Sequence, residues 1–482
     1  MSVFKDKKII GIYNKDLSGI NVAGNISVTE IFLWVILLLP AEIAVRGAGV
    51  CFTDIGLFAG ISYVWIFLVK RLRSYADISE CNMRNMQDFL YARYSSPCLK
   101  IIISALWFVL LGAMAGGAIM FMVDVIKHFL DINGTLLAAA IIFVICLIRC
   151  VAGKKTMCVI KSIVYAMTLL SCLALIIVPF IYNKPSELLD IYRQARLAGG
   201  TSIYLNIMYL DGMPIGTLKL INIFSVGLGC MGLPVLFEGA FETKNLRELD
   251  RGRIMAIVYA GVIVISFSVW SLLVVACVYP HSISVTDSTY ELINMYVTSL
   301  FEGVTYGEII SSIIVVIWGG AVICLTGTLF HFLEDTVIAC ISDDKISESY
   351  SLKLLIDIFV MVCVAAITLV FSIQCKWNFY SVIKTAWKFS SAVAAPVILS
   401  ILWQRMSKAG IISGVLTSVL AVAVWMWLPV KGGISLVELT GVDAGLAAFA
   451  VSMVVSIFVS IIFKNHNEEE MKVFQKMVQE QR

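Results

Sequence analysis

Residues 225–241 read SVGLGCMGLPVLFEGAF. They lie in an apolar run from about Leu218 to Phe241, long enough to cross a bilayer. The middle of the run holds Gly227, Gly229, Gly232 and Pro234, and Glu238 follows. Glycine loosens a helix; proline removes a backbone donor and clashes one turn back. A membrane segment broken in this way leaves amides and carbonyls unpaired. Such backbone persists at membrane depth only where protein buries it or where it lines a cavity. Two readings follow. One is a kinked structural helix, since Gly and Pro are common in membrane spans. The other is a discontinuous helix of the kind that builds a solute and ion site near the bilayer midplane.

Composition sets the surroundings of this stretch. The 482 residues are 60% hydrophobic and 14% charged, with a mean hydropathy of +0.93. Soluble globular chains of this size do not look like that; the fold class is an all-α integral membrane protein. The net charge of +3 gives no reason to expect a nucleic-acid partner, because the charge is confined to loops. Residues 1–25 contain lysines but no continuous apolar core, so the first span is expected to serve as its own insertion signal. The thirteen cysteines are scattered without a CxxC. Cys146 and Cys150 share a helical face, where small buried hydrophobes are expected in preference to metal ligands. No cofactor is expected.

Hydropathy gives about twelve spans of roughly 20 residues each. They fall near 20–45, 49–69, 99–129, 134–152, 156–182, 218–241, 254–279, 308–342, 353–373, 380–403, 410–429 and 443–463. The first is interrupted near Thr29–Glu30 and at Pro40; the third is rich in small residues around Gly112, Ala113, Ala115, Gly116 and Gly117. Small residues let helix backbones approach closely. A short amphipathic helix is expected in 183–216. Basic loops follow spans two, four, six (ETKNLRELDRGR, 242–253) and ten, and an acidic loop with Asp287, Glu291 and Glu302 follows span seven. The positive-inside rule then places both termini in the cytoplasm of a multi-pass plasma (inner) membrane protein.

Spans one and six are both interrupted near their middles. That is the expected signature of two five-helix repeats of inverted topology, each opening with a broken helix. The expected organisation is a cytoplasmic segment 1–19, repeat one at 20–182, an extracytoplasmic loop 183–216, repeat two at 217–405, spans eleven and twelve at 406–463, and a polar cytoplasmic tail 464–482.

Several stretches resemble the sodium/solute symporter family, in its sodium/proline and sodium/pantothenate branch. GLGCMGLP (227–234) resembles that family's GLGxxGxP. AWKFSSAVAAPVILSILWQRMSKAGIISG (386–414) resembles its AW, small-residue and PVxLxxLWxRMTxxGxxxG run. WIFLVKRLRSYAD (65–77), IISALWF (102–108) and ACISDDK (339–345) match in order. The resemblance implies the leucine-transporter-type, five-plus-five inverted-repeat fold with two C-terminal helices. The family's usual extra N-terminal span is absent from the pattern, in keeping with a cytoplasmic N-terminus.

The residues that bear chemistry depart from the family. Its span-one aspartate falls on Glu30, and its sodium-binding backbone positions fall on Val28 and Ile31. Its span-eight hydroxyl pair falls on Thr326 and Thr328, with Leu325 covering a one-residue shift of register. Its span-five aspartate falls on Lys161. A sodium site wants oxygen ligands and negative charge; a lysine there repels the ion or replaces it. Desolvation favours neutral lysine, so Lys161 is a candidate proton carrier. The alternative is that it snorkels, lying roughly 9 Å into its span at helical rise. In span eight His331, Glu334 and Asp335 share a face, at i, i+3 and i+4. Ionisable groups at such depth pair or line a pathway. Lys161 is therefore expected to pair with Asp335 or Glu30, as a relay, a sodium mimic or a structural ion pair; a metal site of His331 and Glu334 is a lesser alternative. The expected substrate positions are Ala115, Val226, Gly227, Gly229, Cys230, Leu233 and Pro234, a pocket more apolar or larger than a proline site. Lys384 and Lys388, one turn apart, attract a carboxylate or line a solvated face.

The function expected is import of a small organic solute, of amino-acid or carboxylate type, by alternating access and coupled to sodium. The alternative is a proton-coupled or ion-independent carrier with Lys161 in the sodium's place. A transporter-like sensor would need a separate output partner, the tail being under twenty residues. An enzyme is not expected: the His331 face suits acid–base work, but no nucleophile elbow, HExxH or phosphate loop joins it.

Overall fold

A computed structural model describes residues 18–22, 34–79, 83–129, 133–151, 154–182, 186–187, 190, 205–278, 289–300, 307–341, 350–371, 377–429, 433–463 and 468–480. Among them, eight helices are long and apolar enough to cross a membrane. A bent pair, Thr217–Gly232 and Val235–Glu242, makes a ninth if counted as one span. Shorter apolar helices, Leu136–Ile145 and Leu355–Leu369, lie where the sequence expects spans four and nine. Val28, Glu30 and Ile31, the Thr29–Glu30 interruption, and Asp287 and Glu302 lie outside the described residues.

The first span is turned at residues 36–38 and resumes as α1 (Leu39–Arg46), with Pro40 in its first turn, where a proline's missing donor costs nothing. Next come α2 (Cys51–Tyr63), a π-turn at Val64–Leu68 and α3 (Val69–Ile78). Then follow α4 (Met86–Tyr94), α5 (Pro97–Phe129), α6 (Gly134–Val151) and α7 (Lys154–Tyr182). The end of the expected 183–216 loop is a hairpin, β1 (Tyr209–Leu210) against β2 (Met213–Pro214); most of the stretch in which a short amphipathic helix is expected lies outside the described residues. The hairpin turn places Asp211 and Gly212 at positive φ, conformations that Asp and Gly tolerate.

The broken sixth span is α8 (Thr217–Phe224), a 3₁₀ turn, α9 (Gly229–Gly232), an extended residue at Leu233, a second 3₁₀ turn, and α10 (Glu238–Glu242). Beyond it lie α11 (Leu246–Val278), α12 (Thr289–Leu300), α13 (Gly307–Ala339), α14 (Tyr350–Leu369), α15 (Phe379–Leu402), α16 (Lys408–Trp427), α17 (Ala444–Ile462) and α18 (Glu468–Glu480). Asn378, Ser407 and Asp443 cap α15, α16 and α17 by accepting backbone N–H bonds.

Three sequence expectations change. The charged stretch 242–253 is not a loop: α11 starts at Leu246, because the Asn245 side chain accepts the Glu248 N–H at 2.9 Å and caps it. The tail is not simply a polar, solvated segment. The described α18 is amphipathic and docks on α3 and α4, burying Phe474 and Met477, with the Arg93 guanidinium 4.3 Å over the Phe474 ring. Charged residues interrupt its apolar stripe often enough to hide it in a hydropathy average.

The arginines expected in the loop after span two prove structural. Arg73, buried on α3, donates to the carbonyls of Ala240 (3.3 Å), Thr243 (2.6 Å) and Lys244 (3.3 Å). It thereby caps the end of α10, where orphan carbonyls gather. Arg93, on α4, does the same at the end of α15 through the Ser400 and Trp403 carbonyls. Small residues set the closest helix contacts. A Cβ added at Gly410 or Gly414 of α16 would fall 1.9 Å from the Ser460 or Ser456 hydroxyl of α17. Replacing Arg73 by Ala removes three charge-assisted bonds at once and is expected to cost about 3 kcal/mol. A thermal-unfolding series in detergent with Arg73→Ala and Arg73→Lys checks this; an unchanged midpoint for Arg73→Ala would remove the capping role.

Candidate functional site

Pro234 has no N–H for residue 230, and Leu233, at φ −92° and ψ 148°, has left the helical region. The helix therefore loses its own donors over one turn. Three side chains donate to carbonyls around the break, that of Val226 also accepting the Gly229 N–H. Trp387 Nε1 donates to the Val226 carbonyl at 2.8 Å, Ser390 Oγ to Gly229 at 2.7 Å, and Trp107 Nε1 to Gly232 at 2.8 Å. The first two reach in from α15 and the third from α5, and all three are buried or nearly so. Glycine makes room for them. A Cβ at Gly229 would lie 2.0 Å from Trp387 Nε1, and one at Gly232 1.8 Å from the Ser390 carbonyl oxygen. On the other side α2 crosses backbone to backbone: a Cβ at Gly60 would meet the Gly227 carbonyl at 2.3 Å.

The predicted substrate positions Val226, Gly227, Gly229, Cys230, Leu233 and Pro234 thus share one wall, packed against α2, α5 and α15. Gly227, Gly229, Cys230, Leu233 and Pro234 are buried, as is Ala115 on α5. A separate cavity of about 20 Å³ lies beside the turn in the first span, between Ile36, Phe121, Val125, Ile293 and Trp318. It is apolar, and its volume suits a single water-sized guest. It shares no residue with the predicted set. Trp318, which covers it, packs on Trp270 at 5.0 Å and Phe267 at 4.9 Å and donates to Ser171 Oγ at 2.7 Å.

On α13, Leu325, Thr326 and Thr328 are buried, and the two hydroxyls bond back to Val322 and Cys324 carbonyls at 2.7 and 2.9 Å. Lys161, on α7, is buried within electrostatic reach of Cys324, so it stands near the Thr328 turn. Further along α13, His331 Nε2 lies 3.5 Å from Asp335 Oδ2, and Glu334 is buried beside them. Among the described residues no three His, Cys, Asp or Glu side chains group to hold a metal.

Lys384 neither lines a solvated face nor stands free for a carboxylate. Its ammonium is 2.5 Å from Glu42 Oε1 and donates to the Tyr380 hydroxyl at 2.6 Å, which in turn donates to Glu42 at 2.6 Å. Lys388 pairs with Asp443 at 3.5 Å. At the same end of the bundle Arg46 holds Asp211 of the hairpin by two bonds, 3.0 and 3.1 Å, with Lys219 at 3.4 Å. Partial burial raises the Asp211 pKa, but Arg46 and Lys219 outweigh it and hold the carboxyl below its ordinary value. This contribution to stability is complete above the ordinary carboxylate range and fades only as pH falls through the lowered value.

Sequence reading missed Trp107, Trp387 and Ser390 as carbonyl donors, although IISALWF and AWKFSS contain them. It also missed Glu42, masked by the apolar residues around it, and the Gly56–Gly60 pair.

A bundle of membrane-crossing helices with one crossing opened in this way defines a class, the multi-pass membrane transporter. The sequence model of the sodium:solute symporter family matches residues 210–418, and this is the family the chain resembles. Its relatives include sodium/proline symporter 2 of Staphylococcus saprophyticus, 22% identical over 440 residues, covering 89% of this chain and 82% of that protein. Another is the osmoregulated proline transporter OpuE of Bacillus subtilis, 23% identical over 470 residues, covering 92% and 86%. The fold is similar to that of a Na⁺-coupled sialic acid symporter solved in a substrate-bound outward-open state. The TM-score is 0.67, with 13% identity over 96% of this chain and 94% of that one. These relatives are transporters, and this chain is a transporter rather than an enzyme.

Because the break leaves no space at Gly232, Gly232→Ala is expected to abolish the monodisperse folded species in size-exclusion chromatography. Gly216→Ala, with nothing within 4 Å of the added Cβ, should behave as the parent. Equal behaviour of the two would show that the contact is not rigid.

Proposed function

We propose that this protein is a secondary active transporter that imports a small organic solute of amino-acid or carboxylate type by alternating access, coupled to sodium. The observation that carries this is the sixth span, opened at Leu233–Pro234 and held open by donors from α5 and α15. Alternating access rocks one bundle against another around a broken-helix site. Donors supplied from neighbouring helices allow the halves of the span to move without leaving bare carbonyls in lipid.

Residues 20–182 and 217–405 act as the two inverted repeats, with 406–463 added, in a plasma membrane and with both termini cytoplasmic. The solute site is formed by Ala115, Val226, Gly227, Gly229, Cys230, Leu233 and Pro234. Sodium, a transported ion rather than a cofactor, is held by the Val28 and Ile31 carbonyls and the Thr326–Thr328 turn. The sodium/proline symporters among the relatives make L-proline the first solute to try. With a sodium gradient directed inward, proteoliposomes holding the full chain should accumulate labelled L-proline, or a competitor of it among amino and carboxylic acids. No gradient-driven flux of any such solute would overturn the reading.

One observation favours a second mode of coupling. Lys161 is buried near Cys324 and the Thr328 turn, where an ammonium takes the place of an ion. In that mode Glu30, His331, Glu334 and Asp335 form the charge network around it, and uptake does not depend on sodium. Lys161→Asp should then make uptake sodium-dependent; a variant whose transport stays indifferent to sodium would count against it.

A further inference from the structure

Two carboxylates are buried near one end of the bundle, and their surroundings differ. Glu42, on α1, is 3% exposed and receives the Lys384 ammonium and the Tyr380 hydroxyl, with Arg46 at 3.7 Å. Its charge is matched. Asp54, on α2, is 2% exposed. One of its oxygens, Oδ2, bonds the Ser268 hydroxyl of α11; the other, Oδ1, is buried without a hydrogen-bond partner.

The hydrogen count at this contact is informative. Ser268 Oγ also lies 2.7 Å from the Val264 carbonyl, one turn back on its own helix. A serine hydroxyl has one proton and two lone pairs. If that proton goes to Val264, the Asp54–Ser268 bond needs a proton from Asp54. If it goes to Asp54 instead, an ionised carboxylate is left, among the described residues, with a single neutral donor, a bare Oδ1 and no cation. Several kcal/mol oppose such a group. Among the described residues the charged group that reaches Asp54 is Glu42, of the same sign. Among the described residues, the other titratable side chains on the elements packed against α2 supply no positive charge to it. Arg247, Arg251 and Arg253 of α11 lie fifteen or more residues before Ser268, about 22 Å or more along the helix, and Arg251 and Arg253 pair with Glu248 and Asp250. Cys51 is on α2 itself, Cys230 is a buried thiol on α9, and Lys219 of α8 pairs with Asp211.

We propose that Asp54 is a proton-binding site, which carries a proton between α2 and α11 in this conformation and gives it up when that contact opens to water. Release breaks one O–H bond, passes the proton to water and leaves one negative charge on Asp54; no other group changes. Sodium suits the position poorly, since a single hydroxyl and one carboxylate fall short of the oxygen shell a hard cation requires. The site is distinct from the Thr326–Thr328 turn. Its use in coupling rests on the transporter reading above, whereas the protonated carboxyl does not.

The test uses the purified full chain in detergent and infrared spectroscopy at neutral pH. The difference between the parent and Asp54→Asn, which keeps the shape and a donor toward Ser268, should show a protonated-carboxyl C=O band that shifts to lower frequency in D₂O. Ser268→Ala, which removes the acceptor, should move that band to higher frequency. A difference spectrum showing carboxylate stretches in place of the C=O band would overturn the proposal. Should Asp54→Asn fail to fold, Ser268→Ala decides alone, and an unmoved band overturns it. In proteoliposomes the pH dependence of L-proline uptake should be lost in Asp54→Asn. A band present in a protein that moves no solute supports the proton site and overturns the transporter reading alone.

Discussion

Three backbone carbonyls, those of Val226, Gly229 and Gly232, accept side-chain donors from other helices, the first beside the Gly229 N–H, and much of the architecture serves these bonds. A span broken at Leu233–Pro234 would otherwise expose unpaired groups to hydrocarbon, at several kcal/mol each. Two indoles and a serine are long or small enough to reach them while presenting apolar surface elsewhere. Their approach requires that positions 229 and 232 have no Cβ, and the crossing of α2 requires the same at 56, 60 and 227. The glycines are therefore spent on proximity, and flexibility is secondary.

Charge in this bundle is placed by the same logic. Arg73 and Arg93 are drawn from what looks like a basic loop into buried capping positions, each quenching the carbonyl end of a distant helix. Glu42 is accompanied by Lys384 and Tyr380, so its negative charge has a cation and a hydroxyl donor. Asp54 has, among the described residues, a hydroxyl and no cation, and burial without a counter-charge is tolerated by a neutral acid. The contacts of Glu42 with α15 and of Arg46 with the hairpin tie the second half of the first span to the tenth and to the approach of the sixth. Those are the elements that must part if a solute is to reach the break from that end.

Much of the fold was legible in the chain alone. The bounds of α5, α7, α13, α15, α16 and α17 follow from apolar runs ended by charged, Asn, Ser or Asp residues, because a bilayer admits little else. The break in the sixth span was legible because glycine and proline act locally. The docking of α18 was not, since its few apolar residues acquire meaning only when α3 and α4 are beside them. Nor was the pairing of Lys384 with Glu42, separated by hundreds of residues; a sequence shows a lysine and a glutamate, and not that they meet.

What the sequence by itself determined is the membrane setting, the bounds of the long apolar helices and the point at which the broken span is opened. Each depends on composition and on backbone chemistry within a few residues. Only the tertiary structure decided which groups satisfy the opened backbone, which charges are matched, and where space remains. Those depend on distances between helices, which packing sets and no local pattern records. Trp107 and Trp387 are apolar residues of a span when read in order; against the break they are its hydrogen-bond donors.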